Sequence, residues 1–225
     1  MFDAVTTTFN PVVGCTHRCR YCWALKMVEN GRLKARYGDF QPKFYPERLR
    51  KIPRKGFVFV VDMGDLFSDG VPDKWIRQVF EAIIYSGSKA TFLFLTKNPR
   101  RYHDFLEYYR PNMLFGVTIE SNRFYNLYDG VVPSPDERWH YMYMLPKDVR
   151  RFVSIEPILQ FNYPKFWYMI YSLKPEIVYI GYDNYNNHLP EPDYDKTIAL
   201  INKLKSLGLE VRLKTIRKAW WESDI

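Results

Sequence analysis

The chain has 225 residues, of which 47% are hydrophobic and 26% charged, and it carries a net charge of +8. This length supports one sizeable hydrophobic core and is short for two full domains, so we predict a single domain spanning residues 1–225. The sequence contains no apolar run near the roughly 20 residues of a membrane helix, and it begins without the segments of a signal peptide, which favours a cytoplasmic protein that does not enter a membrane.

The excess positive charge lies in the first quarter of the chain. Residues 1–60 contain 12 Lys/Arg and 4 Asp/Glu, whereas residues 61–225 contain 21 of each. All 12 cations fall between Arg18 and Lys55. They form either an ordinary solvated face or a docking surface for a polyanion such as nucleic acid, or for an acidic electron-transfer partner. Charge alone does not discriminate between these alternatives.

The three cysteines of the chain, Cys15, Cys19 and Cys22, fall within eight residues, directly after a strand predicted near residues 5–9. An odd, clustered set of cysteines argues against a disulfide framework and favours metal or cluster ligation. Iron–sulfur clusters are normally held by four thiolates. Three cysteines would therefore leave one iron without a protein ligand and open to a substrate. We call residues 14–23 the cysteine loop.

Zinc is the alternative metal. A structural zinc site requires four ligands, usually from two separated pairs. The fourth ligand here would be His17, inside the same loop, or a distant histidine, namely His103, His140 or His188. None of them has a usual finger spacing, and three thiolates with a water are uncommon, so the iron–sulfur interpretation is favoured.

After the cysteines, helical and strand patterns alternate along the chain. The predicted helices cover residues 22–37, 72–86, 100–109, 165–173 and 194–207, and the predicted strands cover residues 56–63, 91–95, 114–119, 152–155, 177–181 and 211–214. Periodicity and a proline in a first helical turn support these assignments. Residues 121–149 form a long irregular stretch, which we interpret as an insertion that is either a substrate-contacting lid or a surface excursion.

Such alternation predicts an α/β fold with parallel strands and crossover helices. Six or seven βα units suit a partial (βα)6-type TIM barrel better than a complete one, and a doubly wound sheet is the alternative. In parallel barrels, functional groups collect where the strands end. Polar residues occur at these points and are predicted to line one cavity: Gly64, Asp65, Thr96, Lys97, Glu120, Glu156, Asp183 and, within the last strand, Lys214.

The spacing Cys-x3-Cys-x2-Cys, with Tyr21 just before the last cysteine, resembles the hallmark of the radical S-adenosylmethionine superfamily. The resemblance implies a partial barrel with the cysteine loop after the first strand, and a [4Fe–4S] cluster whose open iron chelates S-adenosylmethionine. It also implies reductive cleavage of the sulfur–C5′ bond to a 5′-deoxyadenosyl radical, with an electron from an external flavodoxin- or ferredoxin-type reductant. With three cysteines in the chain, no auxiliary cluster is expected.

Further motifs resemble a family of short, poorly characterised radical-S-adenosylmethionine-like proteins of bacteria, archaea and phages. These motifs are Phe9-Asn10-Pro11-Val12-Val13-Gly14-Cys15, Gly64-Asp65-Leu66-Phe67, Leu95-Thr96-Lys97-Asn98-Pro99, Gly116-Val117-Thr118-Ile119-Glu120 and Ser154-Ile155-Glu156-Pro157. The resemblance implies that the metal ligands are Cys15, Cys19 and Cys22, and that the cofactor contacts are Tyr21, Gly64, Asp65, Lys97, Thr118, Glu120 and Glu156.

The same resemblance assigns a role to most of these contacts. Gly64 and Asp65 would face the amino group of S-adenosylmethionine, and Lys97 its carboxylate. Thr118 and Glu120 would contact the ribose. Glu156 would hold a ribose hydroxyl or orient the substrate.

Three functions fit these features. The first is a radical enzyme acting on nucleic acid, which the basic segment beside the cysteines favours, together with 18 Tyr and 6 Trp available for base stacking. The second is the same chemistry on a peptide or small molecule, with the basic face serving the reductant. The third is a non-catalytic module that binds zinc or an iron–sulfur cluster.

Overall fold

Seven parallel strands form one curled sheet in the computed structural model of the chain, which describes residues 2–222. In chain order, the strands are β1 (Thr7–Phe9), β2 (Val12–Val13), β3 (Lys43–Phe44), β4 (Phe57–Val60), β5 (Thr91–Thr96), β6 (Met113–Thr118), β7 (Arg151–Ile155), β8 (Ile177–Ile180) and β9 (Glu210–Leu213). The main sheet has the order β1-β4-β5-β6-β7-β8-β9, while β2 and β3 pair antiparallel beside it. This sequential order confirms the predicted α/β partial TIM barrel, since a doubly wound sheet reverses its strand order partway.

The helices are α1 (Trp23–Glu29), α2 (Lys34–Tyr37), α3 (Asp73–Tyr85), α4 (Pro135–Tyr143), α5 (Tyr163–Ser172) and α6 (Tyr194–Ser206), with 3-10 segments at Pro46–Arg50 and Pro99–Tyr108. Helices α3 to α6 pack against one face of the main sheet and close its core, whereas α1 and α2 pack in a separate apolar cluster beside the cysteine loop. In α3, Ile76, Val79, Phe80 and Ile83 recur every three or four residues and are buried against the sheet. Among the described residues, no helix has the length and apolarity to cross a membrane.

A smaller apolar cluster covers the other, inner face of the sheet. Alternate strand residues point to opposite faces, so Leu93, Leu114 and Phe152 face away from the helix-covered core. Phe2 packs among these side chains, with its ring 5.1 Å from that of Phe152 and 4.6 Å from that of Tyr179. The N-terminal segment therefore plugs the inside of the half-barrel at one end and leaves the carboxyl ends of the strands open.

Several predicted elements differ from those observed. The single helix predicted over residues 22–37 is two helices, because Asn30 and Gly31 have low helix propensity and α1 ends at Glu29. The segment after Pro99 winds as a 3-10 helix with non-helical angles at Phe105. The strand predicted over residues 56–63 leaves the sheet after Val60.

The stretch predicted to be irregular, residues 121–149, contains the helix α4. Ser134 accepts a hydrogen bond from the Glu137 amide and Glu137 reaches back to the Ser134 amide, which forms a capping box. This Ser-Pro-x-Glu pattern is a helix-start signal readable from sequence. Helix α4 is the crossover between β6 and β7, so the irregular parts of the stretch are residues 121–134 and 144–149.

Candidate functional site

A cavity of about 390 Å³ opens where the strands of the main sheet end. It is lined by nine of the ten predicted site residues: Cys15, Cys19, Cys22, Tyr21, Gly64, Asp65, Lys97, Thr118 and Glu156. Thr96, Asp183 and Lys214 line it as well, so residues at the ends of six strands, β4 to β9, meet at one space. The tenth predicted residue, Glu120, lies behind the cavity wall.

The three cysteines are free thiols at the edge of this cavity. The Cys15 sulfur accepts a hydrogen bond from the His17 amide at 3.4 Å, and the Cys22 sulfur accepts one from the Leu25 amide at 3.4 Å as the N-cap of α1. Burial raises the pKa of Cys15 and Cys22, and that of Cys19 to about 12. The thiols are therefore protonated in the absence of a metal centre, and binding of a metal centre would displace their protons. The amide donors to sulfur favour this loss of protons.

A buried contact between His17 and Asp65 fixes the cysteine loop to the end of β4. The His17 Nε2 lies 3.0 Å from the Asp65 Oδ2, and its Nδ1 lies 2.9 Å from the Val131 carbonyl oxygen. Cys15, His17 and Asp65 place ligand atoms within 4.8 Å of one another, but both ring nitrogens of His17 already have an oxygen partner in the protein. This engagement disfavours His17 as the fourth ligand of a zinc site.

The Asp65 carboxylate is engaged by the protein itself. Its Oδ2 also accepts hydrogen bonds from the Thr96 hydroxyl and the Lys97 amide, both at 2.9 Å, and its Oδ1 accepts one from the Phe67 amide. Burial raises the pKa of Asp65, but the bonds from His17, Lys97 and Thr96 outweigh it and hold that pKa below its usual value. Asp65 thus ties the ends of β4 and β5 to the cysteine loop instead of presenting a free carboxylate to a cofactor.

Gly64 allows the cysteine loop to pack directly on the chain that follows β4. Gly14 donates its amide to the Met63 carbonyl at 3.0 Å and forms a bridge with Gly64. A Cβ on Gly64 would lie 2.3 Å from the Gly14 carbonyl oxygen, so only glycine fits this position. The backbone of residue 64 is thereby brought to the cavity wall.

The irregular segment after β6 runs alongside the other edge of the cysteine loop. The Arg20 amide donates a hydrogen bond to the Leu127 carbonyl at 2.9 Å, and the Gly130 amide donates one to the His17 carbonyl at 3.2 Å. A Cβ on Gly130 would lie 1.8 Å from the Thr16 carbonyl oxygen. This segment therefore holds the cysteine loop through backbone contacts.

Replacing Gly130 with alanine is expected to push the cysteine loop away from its support, because the new methyl group would overlap the Thr16 backbone. We expect a loss of about 2–3 kcal/mol in unfolding free energy and a several-fold lower iron content after reconstitution. The control is Gly208→Ala, which has positive φ strain but no atom within 4 Å of the new Cβ. Full iron loading of Gly130→Ala would contradict the role of this contact.

Glu120 is the centre of a buried network behind the cavity. Its carboxylate accepts hydrogen bonds from the hydroxyls of Tyr21 and Tyr128, and it lies 2.6 Å from the Arg138 Nη1 and 3.4 Å from the Lys97 Nζ. Burial raises the pKa of Glu120, but the cations Arg138 and Lys97 have a larger, opposite effect and lower this pKa to about 2. With both of its carboxylate oxygens engaged, Glu120 positions Tyr21 and Lys97, which do line the cavity.

Arg138 is a functional neighbour that sequence reasoning missed. It lies on α4, inside the stretch predicted to be irregular, and its side chain is fully buried. Besides Glu120, it donates to the carbonyl of Thr118 at 3.1 Å and to that of Pro133 at 2.8 Å. Recognition of the Ser134 cap would have revealed the helix, but the Glu120 contact depends on tertiary packing.

Lys97 is the cation nearest the cysteine loop among the predicted residues. Its ammonium lies 5.6 Å from the centre of the Tyr21 ring, and its side chain is 14% exposed. Burial lowers the pKa of Lys97, but Cys19, once it is a thiolate, and the Glu120 carboxylate outweigh burial and raise it. The side chain therefore remains charged inside the cavity, where an anionic group can meet it.

Further charged side chains line the cavity. Glu156 and Lys214 form an ion pair at 2.6 Å, with both side chains 17% exposed. Asp62 also lines the cavity, and its Oδ1 accepts a hydrogen bond from the Asn10 Nδ2 at 2.5 Å. The preceding residue, Val61, has φ of +60°, which is strained for a β-branched residue. This backbone turn aims Asp62 inward, and no sequence signal marked it.

Solved structures of known proteins share this fold. Spore photoproduct lyase complexed with dinucleoside spore photoproduct superposes with a TM-score of 0.65 at 12% identity, over 95% of this chain and 79% of that chain. SuiB of Streptococcus suis bound to S-adenosylmethionine gives a TM-score of 0.60 at 11% identity, over 92% of this chain and 50% of that chain. At these identities the likeness is one of fold.

No similar sequence was found among curated proteins. A family model described as "Protein of unknown function (DUF5131)" matches residues 3–163.

Proposed function

The chain belongs to the DUF5131 family, and we propose that it is a radical S-adenosylmethionine enzyme with a [4Fe–4S] cluster on Cys15, Cys19 and Cys22. The observation that carries this proposal is the position of three free thiols, clustered in one loop, at the strand-end cavity of a partial barrel. The fold shared with spore photoproduct lyase and SuiB, both radical S-adenosylmethionine enzymes, supports it. We place the chain among the short prokaryotic and phage proteins that its motifs resemble.

The residues of the cysteine loop fit such a cluster. Three thiols and no competing imidazole give the soft, three-ligand donor set that leaves one iron open. Such a cluster, held by Cys15, Cys19 and Cys22, would supply the single electron for reductive cleavage of the sulfur–C5′ bond of S-adenosylmethionine to a 5′-deoxyadenosyl radical. The protein keeps the loop in place from both sides, through Asp65 and through the segment at Gly130.

The remaining cavity residues bind and orient the cofactor. Lys97 offers a permanent positive charge to the carboxylate of S-adenosylmethionine, and the backbone at Gly64 faces its amino group. Thr118 contacts the ribose, and Tyr21 packs beside the cofactor. Glu120 acts through Tyr21 and Lys97, which differs from the ribose contact expected from the sequence.

The polar group formed by Asp62 and the Glu156–Lys214 pair faces the substrate. We favour nucleic acid as the substrate because the first 60 residues contain 12 cations. These cations lie between Arg18, which is inside the cysteine loop, and Lys55. Spore photoproduct lyase, which shares the fold, was solved in complex with a dinucleoside spore photoproduct. A peptide is the second candidate, since SuiB was solved bound to its precursor peptide SuiA. The enzyme would work in the cytoplasm with a flavodoxin- or ferredoxin-type reductant.

Anaerobic reconstitution followed by reduction with S-adenosylmethionine tests this proposal. We expect 5′-deoxyadenosine to form, and we expect Lys97→Met to weaken binding of S-adenosylmethionine at least about 10-fold, the equivalent of 1.4 kcal/mol. Lys165→Met, which removes a surface lysine of α5, is the matched control and should bind normally. A fully loaded, reduced protein that releases no 5′-deoxyadenosine, even with cell extract, would contradict the assignment. So would a colourless protein that contains zinc and no iron.

A further inference from the structure

Exposed aromatic rings lie on, and packed against, the segment after β8, whose first residues line the cavity. Tyr185, on the segment after β8, lines the cavity and is 54% exposed. Trp220, near the C-terminus, is 48% exposed, and its ring packs edge-on against that of His188 at 4.8 Å. Its indole nitrogen already donates to the Leu189 carbonyl at 2.7 Å. With that polar atom satisfied, the Trp220 ring offers solvent an apolar, polarisable face.

Hydrogen bonds hold the segment that carries these rings. Asp183 accepts bonds from the amide and the side chain of Asn187, at 2.7 and 2.8 Å. Arg217 bonds the Asp183 carbonyl at 2.8 Å and both oxygens of Glu191, which fastens the C-terminal segment to the segment after β8. The rings therefore project from a braced surface, which lowers the entropy cost of stacking a partner on them.

One cation of α1 contacts this surface, and further exposed cations follow it along the chain. Lys26 on α1 donates to the side chain of Asn187, so α1 adjoins the segment after β8 directly. Arg32, Lys34 and Arg36 follow on the α1–α2 segment and are exposed. Within residues 2–222, none of these four cations lies in an ion pair of 4 Å or less. They are free to neutralise anionic groups from outside the chain.

We propose that this surface binds single-stranded nucleic acid and presents an unpaired nucleotide to the cavity. We call it the rim surface, and define it by Lys26, Arg32, Lys34, Arg36, Tyr185, His188 and Trp220. The reaction of that nucleotide rests on the proposed function, whereas the binding does not.

The chemistry of the rim surface matches a single strand. Stacking of a base on an exposed ring is worth about 1–3 kcal/mol, and cations supply the salt-dependent contacts to phosphates. A duplex stacks its bases on one another, so it can use the cations but not the rings of Tyr185 and Trp220. An acidic protein partner would likewise have no base to place on those rings.

Fluorescence anisotropy of the reconstituted, full-length protein with a labelled 20-nucleotide single strand, and with its duplex, tests this inference. We expect the single strand to bind at least about 10-fold more tightly than the duplex. Tyr185→Ala/Trp220→Ala should weaken single-strand binding about 10-fold or more without changing the salt slope. Lys26→Glu/Arg36→Glu should weaken it and reduce that slope.

Matched controls are Tyr85→Ala and Tyr168→Ala, which remove exposed rings from α3 and α5, and Lys205→Glu on α6. Equal affinity for single strand and duplex, or rim variants that behave like these controls, would overturn the proposal. It would also be overturned if the cation variants lost binding of an acidic flavodoxin while they still bound the oligonucleotide normally. Binding is read without S-adenosylmethionine or reductant, so its outcome is independent of whether the cofactor is cleaved.

Discussion

Alanine in place of Cys15, Cys19 or Cys22 is expected to abolish iron loading and with it the formation of 5′-deoxyadenosine. Residues 2–222 contain no other thiol that could substitute for the lost ligand. The nearest imidazole, His17, is held between the Val131 carbonyl and Asp65. Loss of even an outer contact to a metal site commonly costs 10–100-fold, so the loss of a ligand should cost at least about 100-fold.

Iron and sulfide content, visible absorbance and 5′-deoxyadenosine would be measured for each cysteine variant beside the unmodified protein. Thr16→Ser is the control within the same loop, because Thr16 offers no sulfur and its side chain is not expected to be a ligand. It should keep its iron. A single-cysteine variant that loads iron normally and cleaves S-adenosylmethionine would remove that cysteine from the ligand set.

Breaking the buried Glu120–Arg138 pair is expected to destabilise the fold more than any change of a surface charge. Arg138 is fully buried, and Glu120 is 1% exposed. Glu120→Gln would leave the guanidinium buried without its counter-charge, which typically costs about 3–5 kcal/mol. Asp136→Asn, on the same helix as Arg138, breaks the exposed pair with Lys165 of α5 and should cost less than about 1 kcal/mol.

Denaturant unfolding of Glu120→Gln, Arg138→Met and the double variant would measure this coupling. The double variant should lose less stability than the two single losses added together, because removing both partners leaves no unpaired charge. Since the folded pKa of Glu120 lies below its unfolded value, its contribution is present above the unfolded pKa and is lost as the pH falls towards about 2. Single variants that unfold like Asp136→Asn would contradict the network.

The pattern of the sequence was sufficient for the fold and for the position of the site. Buried strands such as Thr91–Thr96 read as continuous apolar runs, and the polar residues after them meet at the cavity because parallel strands end at one edge. Cys15, Cys19 and Cys22 stand out because they follow one another closely in the sequence with the spacing Cys-x3-Cys-x2-Cys. These patterns involve residues that are close together in the sequence, so they can be read without knowledge of the tertiary packing.

What the sequence did not supply depends on contacts between distant residues. Nothing in the spacing of His17 and Asp65 indicates that they pair across 48 positions. Glu120 was expected to contact the cofactor because it follows a strand, but its carboxylate accepts a hydrogen bond from Arg138 of the following helix. Asp62 reaches the cavity through a strained turn at Val61, and such strain arises only from the surrounding packing.

The electron paramagnetic resonance spectrum of the reduced protein, recorded with and without S-adenosylmethionine, tests the central claim most directly. A cluster on Cys15, Cys19 and Cys22 leaves one iron free for the amino and carboxylate groups of the cofactor, beside Lys97 and Gly64. We therefore predict a [4Fe–4S]⁺ signal that shifts when S-adenosylmethionine is added. A signal that is unchanged by the cofactor, or a reconstituted protein with no iron–sulfur signal at all, would contradict the account.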